Sequence, residues 1–152
     1  MDPLEDLYRE LILDHHRNPR NYGELENPDV RVEGANPLCG DEVLLTMNVD
    51  RGRIKQVRLK SIGCSISRAS GSMMTEVVSG KTLDEARRSA NLFKEMMLGN
   101  GTAADLPEDM GDLEALEGVK KYPVRVKCAL LAWNTLLEGL NQAEKKNSDQ
   151  EV

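Results

Sequence analysis

Leu4, Leu7, Tyr8, Leu11, Ile12 and His15 follow helical spacing, so the chain opens with one amphipathic helix. Asp2-Pro3-Leu4-Glu5 supplies its start: Asp2 caps, Pro3 suits the first turn, and Glu5 favours the positive end of the helix dipole. Asn18-Pro19 ends it, and Arg20–Pro28 reads as a loop rich in Asn, Gly and Pro. The period then changes from helical to alternating. Val30–Glu33 predicts a short edge strand. Val43, Leu45, Met47 and Val49 alternate along a second strand, Glu42–Val49. After the turn Asp50-Arg51-Gly52-Arg53, Ile54–Ser61 forms a third, with Val57 and Leu59 inward and Arg58 and Lys60 outward. The three make a small antiparallel sheet with one wet face.

Helical spacing returns after Gly63-Cys64. Ile66, Ala69, Met73 and Val77 form the buried stripe of a helix crowded with small residues, which lets another backbone approach closely; Ser79-Gly80 stops it. Thr82-Leu83-Asp84-Glu85 is a capping box, opening a helix that buries Ala86, Ala90, Phe93 and Met97 and stops at Gly99-Asn100-Gly101. Thr102–Gly118 is acidic and reads as loop, with one short helical turn at Leu113–Leu116. Tyr122-Pro123 introduces a last helix packed through Val126, Ala129, Leu130, Trp133, Leu137 and Leu140; the polar residues from Glu144 onward are expected to fray into a disordered tail, 144–152. The order helix, strands, helices predicts an α+β fold: three antiparallel strands packed against an N-terminal helix and C-terminal helices, in one domain spanning 1–152.

Composition narrows the function classes. A chain of 152 residues, 39% apolar and 30% charged, suits one globular domain with a real core. Its formal charge of -6 argues against nucleic acid as a partner, and no apolar run is long enough for a membrane span. The acidic, amphipathic N-terminus is no secretory signal, so the expected compartment is the cytoplasm, where thiols stay reduced. Three cysteines cannot all pair within one chain, which favours metal binding or catalysis over a disulfide.

Those cysteines lie at element junctions. In Asn36-Pro37-Leu38-Cys39-Gly40-Asp41 a thiol and a carboxylate stand two positions apart on a tight loop entering the second strand. Cys64 lies just before a helix, where free N–H groups and the dipole favour a thiolate. Cys128 falls in the first turn or so of the last helix, with similar help. Cys39, Asp41, Cys64 and Cys128 are thus candidate ligands of a tetrahedral zinc ion. Four anionic ligands around a divalent cation leave about two negative charges. Arg125, three residues before Cys128 and on the same helical face, could offset that excess or donate to Asp41; Lys127 points elsewhere. Free cysteine also packs as a small hydrophobe, and without a CxxC pair spacing leaves both readings open. His15, on the apolar stripe, reads as a satisfied core histidine rather than a ligand.

The segments NPLCGDEV, GCSISRASGSMMTE and GVKKYPVRVKCALLAW, in that order and preceded by DHHRNPRNYG, resemble the SufU-like branch of the IscU/NifU N-terminal-like iron–sulfur cluster assembly family. The likeness covers nearly the whole chain up to the tail. It implies a zinc-dependent sulfurtransferase that takes persulfide sulfur from a SufS-type cysteine desulfurase and delivers it to the SufBCD complex. By position it implies that Cys39, Asp41, Cys64 and Cys128 hold zinc, with Cys39 the sulfur acceptor, released when a histidine of the docked desulfurase takes over a zinc position. The alternative within the same family is an IscU-type scaffold carrying a transient iron–sulfur cluster. That branch has a histidine directly before the last cysteine and a proline-rich chaperone-recognition segment; here Lys127 precedes Cys128 and only Tyr122-Pro123-Val124 stands in the segment's place. The extra Asn100–Gly118 stretch is also typical of SufU-like chains.

Overall fold

The computed structural model describes residues 3–99 and 101–150; Asp2 and Asn100, to which the sequence assigns a cap and part of a helix stop, lie outside them. The fold is α+β. Helix α1 (Pro3–Arg17) precedes strands β1 (Val30–Asn36), β2 (Asp41–Asp50) and β3 (Arg53–Ile62). Helices α2 (Ser65–Val78), α3 (Leu83–Met97) and α4 (Pro123–Gln150) follow, with a run of 3-10 turns between α3 and α4. Both strand pairs are antiparallel, in the order β1-β2-β3.

The alternation predicted for β2 and β3 is present. Val43, Leu45, Met47, Val57 and Leu59 are buried on one face, against α2 and α4. The opposite face is wet only in part. Lys55, Gln56 and Lys60 are exposed, but Thr46 is fully buried, and its Oγ1 accepts the Leu25 N–H at 3.1 Å. The same loop covers the free edge of β3: Leu59 N–H donates to Asn21 O at 3.1 Å, and Gly23 N–H to Leu59 O at 3.3 Å. Satisfying that edge removes a site for unwanted strand pairing.

Helix α2 is buried nearly all round. Its small residues admit α4, as the sequence predicts: Ser70 Oγ donates to Ala129 O at 2.6 Å, and Trp133 Nε1 donates to Ser70 Oγ at 3.0 Å. Trp133 also rests on Phe93 of α3, ring centroids 4.8 Å apart. The Thr82 cap is present, its hydroxyl accepting the Glu85 N–H at 3.1 Å and donating to Glu85 Oε1 at 3.0 Å.

Two segments depart from the sequence reading. Thr102–Gly118 is no open loop: 3-10 turns cover Ala103–Asp105 and Glu108–Lys121. Met110, Leu113 and Leu116 are fully buried in the main core, and burial of each side chain contributes about 1.5–3 kcal/mol before ordering costs. The second departure is at the C-terminus, where α4 continues through the polar residues from Glu144 to Gln150. Ala143 is buried there, Glu144 pairs with Arg87 at 2.9 Å, and Lys146 Nζ donates to Asp29 O at 2.5 Å. These contacts hold turns that composition alone would let fray. Among the described residues no helix is long and apolar enough to cross a membrane.

Candidate metal centre

The three cysteines meet at one end of the sheet, where the β1–β2 hairpin, the β3–α2 junction and the second turn of α4 come together. The β1–β2 hairpin closes on the pair Asn36 and Asp41, leaving Pro37–Gly40 as its turn and Cys39 near the tip. Asp41 is therefore the first residue of a strand rather than part of the loop to which the sequence assigns it. Strand β3 ends at Ile62, and Cys64 is the N-cap of α2. Cys128 is the sixth residue of α4 and so lies in its second turn, deeper than the first-turn place expected for it.

The geometry brings donors together in two close pairs. Cys128 Sγ lies 3.3 Å from Cys39 Sγ, and Cys64 Sγ lies 3.8 Å from Asp41 Oδ2. All three cysteines are free thiols. The donor atoms of Cys39, Asp41 and Cys128 all lie within 4.8 Å of one another. Cys64 stands just outside that group but is tied to it through Asp41, whose Oδ1 accepts the Cys64 N–H at 2.9 Å. At bonds of about 2.3 Å to sulfur and about 2.0 Å to oxygen, tetrahedral zinc has an S–S edge of roughly 3.8 Å and an S–O edge of roughly 3.5 Å, so each pair lies within about half an ångström of an edge of such a site.

Charge and burial fit a cation as well. Asp41 and Cys128 are fully buried, while Cys39 and Cys64 are half-buried. Burial pushes the Cys128 thiol well above the ordinary thiol range, and hydrogen bonds with Asp41, Cys39 and Cys64 push it further. A buried thiol that resists ionisation beside a carboxylate and two more thiols is relieved by a bound metal, which inverts the local preference and expels the proton.

Arg125 is exposed on the first turn of α4. The charge of Cys64 holds its guanidinium above even its usual range, helped by a hydrogen bond to Cys64 and the charges of Cys128 and Cys39. The sequence left a bond from Arg125 to Asp41 open; the thiols, Cys64 foremost, are what raise the guanidinium. Lys127 is exposed.

Two supporting residues are not singled out for such roles by the sequence. Asn36 is buried, and its Nδ2 points at Cys128 Sγ over 4.0 Å. Gly63, at φ +140°, leaves space for Asp41: a Cβ there would fall 2.0 Å from Oδ1 and 3.0 Å from the Asp41 Cα. The signals available for them are the place of Asn36 before the hairpin turn and that of Gly63 at a strand-to-helix switch.

Residues 7–148 match the NifU-like N terminal domain. The chain belongs to that family. It is 44% identical over 144 residues to the zinc-dependent sulfurtransferase SufU of Bacillus subtilis, covering 95% of this chain and 96% of that protein. It is also 38% identical over 154 residues to the iron-sulfur cluster assembly scaffold protein IscU of Streptococcus pyogenes, covering 100% and 95%. A crystal structure of FiSufU from Fervidobacterium islandicum aligns with a TM-score of 0.79 at 39% identity, over 86% of this chain and 94% of the other. The N-terminal NifU-like protein of Brucella abortus aligns at 0.85 and 26% identity, over 94% and 98%. The likeness therefore extends to both named activities, with SufU among the more similar relatives.

Proposed function

We propose that the chain is a zinc-dependent sulfurtransferase of cytoplasmic iron–sulfur cluster biogenesis, with Cys39, Asp41, Cys64 and Cys128 as zinc ligands and Cys39 as the sulfur acceptor. The observation that carries the acceptor role is the contrast among the thiols. Cys128 is sealed in the core, and Cys64 is fixed as a helix cap whose N–H and Sγ both face Asp41. Cys39 is half-buried on a short hairpin turn beside Leu38, which is 72% exposed. When bound, zinc keeps the thiols ionised and carries no electrons.

The transfer itself is thiol–disulfide exchange. The Cys39 thiolate attacks the terminal sulfur of a persulfide on the cysteine desulfurase. A sulfur–sulfur bond forms on Cys39 as the one in the desulfurase breaks, and the electron pair leaves on the desulfurase thiolate. Asp41 and Cys64 stay in place, and Arg125 offsets negative charge at the mouth of the site. The sulfur then passes to a SufBCD-type complex. Exposed Leu38, Ile62, Tyr122 and Val124 lie on the segments that carry the site and suit an apolar rim for the partner.

The test is metal analysis of the purified chain, together with a desulfurase assay run with and without it. About one zinc per chain and faster turnover are expected. A brown, iron-loaded, zinc-free preparation that hands over intact clusters would instead establish the scaffold reading. Arg125→Ala is expected to lower desulfurase activation by about threefold to tenfold, because it removes an exposed cation beside three thiols. The fold, judged by thermal unfolding, should be unchanged. Normal activation would reduce Arg125 to a surface charge.

A further inference from the structure

A second cluster of donor atoms lies on the other side of α2, where α1, α2 and the 3-10 segment meet. His15 of α1 is 1% exposed, and its Nδ1 lies 2.8 Å from Ser72 Oγ. Ser72 Oγ also accepts the Arg20 N–H at 2.8 Å, and in the tautomer where it accepts from Nδ1 as well a lone pair is left on Nε2. Among the described residues Nε2 makes no hydrogen bond; Glu76 Oε1, its ion-pair neighbour, is 3.7 Å away. The donor atoms of His15, Glu76 and Asp112 all lie within 4.8 Å of one another, although Glu76 and Asp112 are exposed and free to turn toward solvent.

The surrounding charge is unbalanced. Among the described residues, the carboxylates of Asp14, Glu76, Asp109 and Asp112 share the neighbourhood with the cations Arg20 and Lys81. Both cations are engaged at short range elsewhere: Arg20 Nη2 with Asp14 Oδ2 at 2.5 Å, and Lys81 Nζ with Asp109 Oδ2 at 2.5 Å. Arg20 Nε reaches Glu76 only at 3.9 Å. A cavity of about 260 Å³ lies beside the two carboxylates, lined by Glu76, Asp109 and Asp112 together with Met73 and Met110; among the described residues His15 is not in its wall.

We propose that His15 Nε2, Glu76 and Asp112 hold a second divalent cation, separate from the thiol centre, that fastens the 101–121 segment to α1 and α2. One imidazole nitrogen and two carboxylates, with water in the remaining positions, suit a first-row ion such as Mn2+, Fe2+, Co2+ or Zn2+. No thiol contributes, so this site lacks the soft donors of the other. Burial holds His15 below its ordinary range, which keeps the ring in the neutral form a metal requires. A divalent ion also neutralises the charge that Arg20 and Lys81 leave over.

Mn2+ is the probe, because hard carboxylate donors accept it and thiolates do not favour it. The full chain, preloaded with a stoichiometric amount of zinc, is titrated while the electron paramagnetic resonance of free Mn2+ is followed. Saturable uptake of about one Mn2+ is expected, and Asp112→Asn or Glu76→Gln should weaken it by about tenfold or more while zinc content stays constant. Both side chains are exposed, so neither substitution threatens the fold. Amide exchange across Met110–Leu116 should slow on Mn2+ addition in the unsubstituted chain and not in Asp112→Asn. Absence of saturable uptake by the unsubstituted chain, or equal uptake by both variants, would overturn the proposal.

Discussion

A Cys39→Ala chain is expected to fold normally yet gain no sulfur when incubated with a cysteine desulfurase and cysteine, leaving desulfurase turnover at the rate of that enzyme alone. The fold is spared because Cys39 sits on the Pro37–Gly40 turn and is only half-buried, outside the main core. Its removal from the metal-free chain should shift stability by no more than about 0.5 kcal/mol. The chemistry is lost because neither remaining thiol can replace it: Cys128 is fully buried, and Cys64 is held against Asp41 at the start of α2. Mass spectrometry of the intact protein reads the result directly. The unsubstituted chain should gain the mass of one sulfur atom on Cys39, and Cys39→Ala none. Sulfur appearing on Cys39→Ala at the normal rate would move the acceptor role to another thiol. Metal content measured on the same sample separates loss of the nucleophile from loss of zinc.

That experiment depends on contacts that the sequence conveys unevenly. The hairpin is legible, since alternation along β2 and the Asn36–Asp41 turn locate Cys39 and Asp41 within a residue or so. The small-residue character of α2 correctly announces the close approach of α4, realised by Ser70 and Ala129. The convergence of Cys64 and Cys128 with that hairpin is not legible from spacing, because the two stand 64 positions apart and no local rule closes so long a gap. It requires the resemblance to a known family. The 3-10 segment escapes for a different reason. Met110, Leu113, Leu116 and Val119 recur every third residue, the period at which 3-10 side chains eclipse, whereas helical and strand templates have periods of 3.6 and 2. Asp112, on this segment, therefore cannot be related to His15 without the fold. Cys128 lies one turn deeper than its sequence position suggests, which replaces the helix-terminus benefit expected for its thiolate by a burial penalty.

Gly63→Ala should have the largest effect of any single methyl group added to the chain, removing zinc and destabilising the junction between β3 and α2. The residue has φ +140°, a conformation that L side chains rarely adopt, and holding alanine there costs about 1–3 kcal/mol. The new Cβ would also meet Asp41 at 2.0 Å from Oδ1, 2.7 Å from Cγ and 3.0 Å from Cα. The first two contacts are with a side chain that can move; the third is with backbone of β2 that cannot move without disturbing the Asn36–Asp41 pair. Overpacking of this kind adds about 1–3 kcal/mol. Relief requires Asp41 to swing away, which breaks its bond to the Cys64 N–H and withdraws the carboxylate from the thiols. Gly80→Ala separates the two contributions. Gly80 has φ +82°, and a Cβ added to it would meet nothing within 4 Å, so alanine there carries backbone strain without the clash. The expected pattern is a fall in thermal stability for both variants, larger for Gly63→Ala, with zinc lost only from Gly63→Ala. Full zinc occupancy in Gly63→Ala would mean that the Asp41 carboxylate can leave its place without loss to the site, and would remove it from the ligand set.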